Sequence, residues 1–169
     1  MSKEFHIFVG GSSDRDEVLM SRLEREVLQA ESGVRLTLAV GGEPGLTEVN
    51  GNAVHRPGLL SQAEFGELLS TASVAFIPIR NGIRAAGHMV MVGALECGIP
   101  VLISPAQGVR EYILGPAIDA LTVEGDILPQ LRTLAADPRN GSAQVKTFWQ
   151  DVYSLEAYTR RVAHVLADF

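Results

Sequence analysis

The chain has 169 residues, of which 46% are hydrophobic and 20% charged, and its formal net charge is -6. This composition is typical of a globular protein, and we expect one domain over residues 1–169. The acidic balance argues against a nucleic-acid partner, although helix N-termini can still bind a phosphate in such a chain.

The sequence contains one cysteine, Cys97, so no disulfide can form within the chain. Cys97 falls in an apolar helical segment, where we expect it to pack. No cluster of histidines, cysteines or carboxylates has metal-ligand spacing, and we predict no metal site. The opening residues enter a strand directly, without a secretory signal, and the apolar runs are shorter than the ~20 residues of a membrane span. We therefore expect a cytoplasmic protein.

The N-terminal third predicts two strands and one helix. FHIFVG (5–10) predicts a strand that ends at Gly10-Gly11. Apolar residues at helical spacing predict a helix within 16–31, and VRLTLAV (34–40) predicts the second strand. Three residues before the helix are candidate N-caps: Ser12, Ser13 and Asp14.

The middle of the chain continues this alternation. GGEPGLTEVNGN (41–52) is rich in turn formers, and we expect a turn that leads into a short third strand at Ala53-Val54. A capping box opens the predicted helix SQAEFGELLSTA (61–72). SVAFIPI (73–79) is almost entirely apolar, as expected of a strand that is buried on both faces.

The C-terminal half predicts a helix that opens at Gly87-His88 and turns into the strand PVLIS (100–104). GVREYI (108–113) predicts a short helix, and AIDALTV (117–123) a last edge strand or turn. Two helices and a weaker one between them are expected over about 126–168. The whole pattern predicts an α/β fold, a Rossmann-like doubly wound parallel sheet in three α/β/α layers.

Ligands of such sheets bind at the carboxyl ends of the strands, where the strand order reverses. Gly10 and Gly11 follow the first strand, and they could let the backbone approach a phosphate or simply form a tight turn. This loop lacks both the third glycine of G-x-G-x-x-G and the P-loop lysine, so neither fingerprint applies.

The loop after the most buried predicted strand, PIRNGIRAAGH (78–88), is the second candidate. Arg80 and Arg84 could bind a pyrophosphate through bidentate contacts. Gly87 would permit close approach, and the amides of His88 and Met89 would form the positive end of the helix. Two solvated arginines and a histidine cap would be the simpler interpretation of the same residues.

Several segments in one order resemble the nucleotide-sugar-binding domain of retaining GT-B glycosyltransferases, the group 1 family of glycogen-synthase-like and mannosyltransferase-like enzymes. The resemblance covers roughly residues 5–168. The segments are IFVGG, LTLAVGGEPG, VHRPGLLSQAEFGELLSTASVAFIPIR, GALECGIPVLIS, GVREYI and LRTLAADP.

This resemblance implies one half of a GT-B architecture and the transfer of a sugar from a nucleoside diphosphate donor, with retention at the anomeric carbon. The NDP-sugar would be a substrate, and no cofactor is implied. The donor diphosphate would lie against the helix that opens at Gly87-His88, and Gly10-Gly11 would face the same cleft. Arg80 falls where some members carry a basic residue near the phosphates.

The chain departs from the family at its acids. The family often carries two glutamates eight residues apart, the first contacting the donor sugar and the second the ribose. The matching positions here are Ala85 and Gly93, and Glu96 is a poorly placed substitute. A basic pair after the first strand is also incomplete, with Gly11 at the first place and Arg15 near the second. The resemblance therefore implies impaired or altered donor contacts.

The chain also departs in length, because GT-B enzymes have two Rossmann-like domains. We expect either a C-terminal half or a free-standing half that requires a partner subunit. A homodimer, and peripheral membrane contact through the full-length enzyme, are further expectations. In the family the last helix, here within 154–169, braces the other domain, which predicts an exposed apolar stripe.

Two other hypotheses stay open. IFVGGSSDRD and ECGIPVLIS also resemble nucleoside deoxyribosyltransferase-like or TIR-like enzymes that act on N-glycosidic bonds, and Glu96 would then be the nucleophile. The missing glutamates also fit a non-catalytic transferase half that stabilises an active partner.

Overall fold

Seven strands form one sheet in the computed structural model, which describes residues 4–31, 33–84 and 86–167. The strands are β1 (Phe5–Gly10), β2 (Val34–Ala39), β3 (Gly45–Val49), β4 (Asn52–Arg56), β5 (Val74–Ile77), β6 (Val101–Ile103) and β7 (Ile118–Ala120). The helices are α1 (Glu17–Gln29), α2 (Gln62–Ser70), α3 (His88–Glu96), α4 (Ile127–Ala136), α5 (Ser142–Val152) and α6 (Leu155–Ala167). Two 3-10 helices cover Gln107–Tyr112 and Pro138–Asn140.

The spatial order of the strands is β3-β4-β2-β1-β5-β6-β7. The described pairs are parallel except for β3 with β4. The central strands contribute side chains to two separate hydrophobic cores. Phe8 and Leu95 belong to the core under α2, α3 and α5, whereas Ile7, Leu23 and Leu131 belong to the core under α1 and α4. Because neighbouring strand residues point to opposite faces, both faces are covered and the strands are apolar throughout. The predicted three-layer Rossmann-like fold is confirmed.

The turn-rich segment 41–52 contains a strand that the sequence analysis did not predict. β3 pairs antiparallel with β4 through a tight turn at Asn50 and Gly51, where φ is 51° and 77°. Two consecutive left-handed residues are typical of a two-residue hairpin, and Asn-Gly is its strongest sequence signal. All five side chains of β3 are exposed, so no apolar alternation marks this edge strand.

The predicted N-caps of α1 were wrong. Asp16 caps this helix, because its Oδ1 accepts hydrogen bonds from the backbone N–H groups of Val18 and Leu19 at 3.0 and 3.1 Å. Ser12, Ser13 and Asp14 lie in the preceding loop, too far before the first helical residue, Glu17, to cap the helix.

The capping box predicted for α2 is confirmed. The Ser61 backbone N–H donates to the Glu64 carboxylate at 2.8 Å, and the Glu64 N–H donates to the Ser61 hydroxyl at 3.3 Å. These two bonds satisfy donors that a helix start otherwise leaves without a partner.

The predicted C-terminal helices are present as α4, α5 and α6, and the last of them projects from the body of the protein. Ala157 is the buried residue of α6, at 2% exposure. One face of α6 carries an exposed apolar stripe, as predicted; its residues are Leu155, Tyr158, Val162, Val165 and Leu166. No helix within the described residues is long and apolar enough to cross a membrane.

A buried histidine ties β1 to β2 and to the end of α2. His6 is 6% exposed, with Nε2 2.8 Å from the Thr37 hydroxyl and Nδ1 3.2 Å from the Thr71 hydroxyl. Because Thr71 donates its own proton to the Leu68 carbonyl, His6 donates through Nδ1, and a neutral ring then accepts from Thr37 at Nε2. The network therefore fits a neutral imidazole. Burial lowers the pKa of His6, and the positive charge of Arg35 lowers it further.

We expect this histidine to make the protein less stable in acid. The unfolded chain binds a proton at His6 more readily than the folded chain does, so the free energy of unfolding falls as the pH drops below about 6.5. Urea unfolding between pH 8 and pH 5 measures the effect, and His6→Gln should reduce the pH dependence. The control is His55→Gln on β4; an equal reduction in that variant would contradict the assignment to His6.

Candidate functional site

The strand order reverses between β1 and β5, at the centre of the sheet. The chain leaves β1 towards β2 on one side and leaves β5 towards β6 on the other, which opens a crevice at the carboxyl edge. The two loops at this crevice are joined by backbone hydrogen bonds. The Asp16 N–H donates to the Pro78 carbonyl, and the Arg80 N–H donates to the Asp14 carbonyl, both at 2.9 Å. The two loops that the sequence analysis selected therefore meet at one place.

The two glycines after β1 are required by packing. A Cβ atom on Gly10 would lie 2.5 Å from the ring of Phe65, which packs edge-on against Phe8. Gly11 adopts a φ of 79°, and a Cβ there would lie 2.6 Å from the Arg15 guanidinium. These contacts explain both glycines without a ligand, so their predicted role in binding a nucleotide-sugar stays a prediction.

Arg15 is the residue at this site that the predicted set of ligands lacked. It is 5% exposed, and its Nε and Nη2 donate to the Gly10 carbonyl at 2.9 and 2.6 Å. Its Nη1 donates to the Ser13 carbonyl at 2.9 Å. No described carboxylate forms an ion pair with Arg15. Burial lowers the pKa of Arg15, and the charge of Asp14 opposes this shift. The crevice floor thus holds a buried cation.

Helix α3 begins beside this cation. Gly87 is its N-cap, with a φ of 81°, and no described side chain caps the helix. A Cβ on Gly87 would lie 2.5 Å from Ile77 and 3.5 Å from Arg15 Nη1. Since the N-terminus of a helix carries a partial positive charge, two positive groups lie together at the switch point. This arrangement can attract an anion.

His88 and Met89, the first residues of α3, are both exposed. The His88 ring stacks on Tyr112, with centroids 6.2 Å apart and an interplanar angle of 16°. Met89 is 75% exposed. The predicted first turn of the helix is therefore accessible to a ligand, with His88 oriented by an aromatic neighbour.

Arg80 and Arg84 lie at the rim of the crevice, with exposed guanidinium groups. Arg80 Nε donates to the Arg15 carbonyl at 3.1 Å, and its Nη2 lies 4.0 Å from Glu17. Arg84 Nη1 lies 3.4 Å from Asp14. Exposed pairs of this kind contribute only about 0–1 kcal/mol, so a stronger anion can replace the acid partners.

A small cavity of about 280 Å³ lies on the α1 side of the crevice, and its lining includes Asp14, Arg15, Glu17 and Arg80 but no residue of α3. A larger cavity, of about 850 Å³, opens at the opposite edge of the sheet, near Phe5 and Ser142. The smaller one is the better candidate, because parallel sheets bind their ligands at the carboxyl ends of the strands.

The position that lacks the expected acid, Gly93, lies in the middle of α3. A Cβ there would meet only Leu69 of α2, at 3.6 Å, which is an ordinary van der Waals distance. Packing therefore does not require glycine at this position, and the space beside it can hold the first side-chain atom of a larger residue. Ala85, the other matching position, lies outside the described residues.

Glu96 lies at the other end of α3, exposed to solvent. Eight residues of helix place it about 12 Å along the axis from His88, which takes its carboxylate away from the crevice. The neighbouring Cys97 is half-buried, and burial raises the pKa of its thiol, which favours packing over reactivity.

No protein-family model matches the chain, and no curated protein matches it. Several solved structures are similar to the chain. WaaG, a glycosyltransferase involved in lipopolysaccharide biosynthesis, is 20% identical with a TM-score of 0.59, over 98% of this chain and 47% of WaaG. Sucrose-phosphate synthase from Thermosynechococcus elongatus is 16% identical with a TM-score of 0.65, over 98% of this chain and 45% of that enzyme. The glycosyltransferase SnogD from Streptomyces nogalater is 20% identical with a TM-score of 0.58, over 97% and 43%.

The likeness at these identities concerns the fold, and the chain spans less than half the length of each of these three proteins. Helices cover both faces of a mostly parallel sheet in this chain, and the sheet has its crevice at the switch point. The chain therefore has the fold of one Rossmann-like half of a GT-B glycosyltransferase.

Proposed function

We propose that this chain is the nucleotide-sugar-binding half of a glycosyltransferase, which transfers a sugar from a nucleoside diphosphate donor to an acceptor. The observation that carries the proposal is the buried cation of Arg15 beside the uncapped start of α3, at the switch point of the sheet. Fixed positive groups of this kind can neutralise a diphosphate without any rearrangement of the protein.

The donor diphosphate would lie between the loop after β1 and the start of α3. There the amides of His88 and Met89 would face its oxygens, next to the left-handed turn that Gly87 forms with its φ of 81°. Arg80 and Arg84 would exchange their exposed acid partners for phosphate oxygens, since a guanidinium binds such oxygens in a bidentate manner. The same groups would stabilise the negative charge that grows on the nucleoside diphosphate as it leaves.

Retention at the anomeric carbon is part of this proposal and is supported by the resemblance of the ordered segments to the retaining group. The acceptor, and any base that activates it, would belong to the second Rossmann-like half. We propose that this half covers the exposed stripe of α6, because an uncovered apolar face of this size is unusual in a protein that acts alone.

The alternative hypothesis of an N-glycosidic-bond enzyme is weaker in light of the geometry. Its nucleophile would be Glu96, whose side chain is exposed at the end of α3 that lies away from the crevice. The hypothesis of a non-catalytic half can be distinguished from the leading proposal by the effect of a Gly93→Glu substitution on nucleotide-sugar affinity.

The proposal predicts measurable donor binding. Calorimetric titration with UDP, GDP, UDP-glucose and GDP-mannose should detect at least one ligand, and Arg84→Ala should weaken its binding about tenfold, the size of one lost charge-assisted hydrogen bond. Arg139→Ala, which removes an exposed arginine far from the crevice, is the matched control. Absence of binding at millimolar concentrations, with the fold intact by circular dichroism, would contradict the proposal.

A second prediction concerns the missing acid. Gly93→Glu should strengthen binding of the nucleotide-sugar that the wild type binds, because a carboxylate at this position could accept hydrogen bonds from the ribose. The control Gly93→Ala should leave affinity unchanged and raise the free energy of unfolding by up to about 1 kcal/mol, since alanine favours a helix more than glycine does. Equal affinities in all three proteins would favour a non-catalytic half.

A third prediction concerns α6. An uncovered apolar stripe should make the isolated chain self-associate at micromolar concentrations, and Leu155→Asp with Leu166→Asp should return it to a monomer without loss of stability, because both side chains are largely exposed. Sedimentation velocity measures the state of association. Glu156→Gln, on the same helix, serves as the control. If the wild-type chain is a monomer at all concentrations, the proposal that another protein surface covers the apolar stripe of α6 is contradicted.

A further inference from the structure

Asp14 is an unusual residue in the loop between β1 and α1. It adopts a φ of 55°, in the left-handed region that few residues other than glycine, asparagine and aspartate tolerate. Its Oδ2 atom is buried and accepts no hydrogen bond from any described residue. The nearest cation to this atom is Arg84, whose Nη1 lies 3.4 Å away. A carboxylate oxygen is thus held in the crevice with incomplete hydrogen bonding, which costs free energy.

The same residue contacts or influences every arginine of the crevice. Its backbone carbonyl accepts a hydrogen bond from the Arg80 N–H at 2.9 Å. Its carboxylate charge acts on Arg15, where it opposes the effect of burial on the pKa of the guanidinium. Its Oδ2 pairs with Arg84. Asp14 therefore supplies negative charge where the ligand phosphates would otherwise supply it.

We propose that Asp14 is a positioning and specificity residue, the counter-ion of Arg84 and a negative charge near Arg15 in the unliganded crevice, which disfavours a free nucleoside diphosphate relative to the nucleotide-sugar. This inference rests on the proposed function. Arg84 would leave Asp14 for a donor phosphate, and the carboxylate would stay beside the bound diphosphate.

The charge difference between donor and product gives this residue its effect. A diphosphate that is esterified at both ends carries about two negative charges, whereas the released nucleoside diphosphate gains a terminal phosphate group with a second pKa of about 6 and carries about three at pH 7.5. A nearby carboxylate repels the product more strongly than the donor. Asp14 thus weakens the product complex and favours release of the nucleoside diphosphate.

The experiment compares wild type with Asp14→Asn, which removes the charge and keeps a residue that tolerates a positive φ. Asp14→Gly is a second variant that also relieves the backbone. Calorimetry at pH 7.5 with UDP against UDP-glucose, and GDP against GDP-mannose, gives the ratio of product affinity to donor affinity. Glu31→Gln removes one negative charge at the opposite edge of the sheet and is the control.

We expect both Asp14 variants to bind the nucleoside diphosphate about three- to tenfold more tightly, with a smaller gain for the nucleotide-sugar. At pH 5.5 the terminal phosphate carries about 0.7 of a negative charge fewer than at pH 7.5, so the difference in ratio between variant and wild type should shrink. A purely structural role would not produce this pH profile. If the Asp14 variants bind ligand with the same ratio of product affinity to donor affinity as the wild type, the inference about Asp14 is overturned and the proposed function is not. Failure of the wild type to bind any of the four ligands would overturn the proposed function as well.

Discussion

The hydrogen bonds from the Arg15 guanidinium to the Gly10 carbonyl hold the crevice in shape. They fold the loop after β1 back onto the end of its own strand, and the adjoining backbone then pairs with the loop after β5 through Arg15 and Ile79. The position of Arg80, which donates to the Arg15 carbonyl, follows from this arrangement. One buried side chain therefore determines how two loops that are far apart in sequence meet.

Burial of a charge without a paired carboxylate is costly, and the structure offsets that cost in two ways. Two backbone carbonyls accept hydrogen bonds from Arg15, and Asp14 supplies a negative charge nearby. What the carbonyls cannot supply is a full counter-charge. An anionic ligand can, and the start of α3 adds a second favourable contact for it. The same constraint that shapes the loops is therefore the basis on which we propose an anionic ligand for the crevice.

The glycines around the crevice have packing reasons that are separate from any ligand. Gly10 makes room for Phe65, Gly11 for Arg15, and Gly87 for Ile77. Gly93 differs from them, since nothing in its surroundings requires a glycine. Its presence is not explained by packing.

Much of the architecture could be predicted from the sequence, because strands buried on both faces are apolar throughout and helices show a regular period. The start of α2 at Ser61 was recognisable from its capping box, and the start of α3 at Gly87-His88 was predicted correctly although no described side chain caps it. The edge strand β3 was missed, because it is exposed on all sides and its side chains carry no periodic signal. Its Asn50-Gly51 turn was the one cue available.

The sequence by itself determined the order of strands and helices apart from β3, the resemblance to one half of a GT-B enzyme, and the two loops that lie at the crevice. Only the tertiary structure decided which residues of those loops carry its electrostatics. Arg15 stands between two aspartates in the sequence, a pattern typical of a solvated loop, yet the meeting of β1 and β5 buries it. The sequence analysis selected Arg80 and Arg84 as the principal cations of the site, but their guanidinium groups lie at the rim of the crevice. Burial depends on which distant strands become neighbours, and local sequence patterns do not encode that pairing.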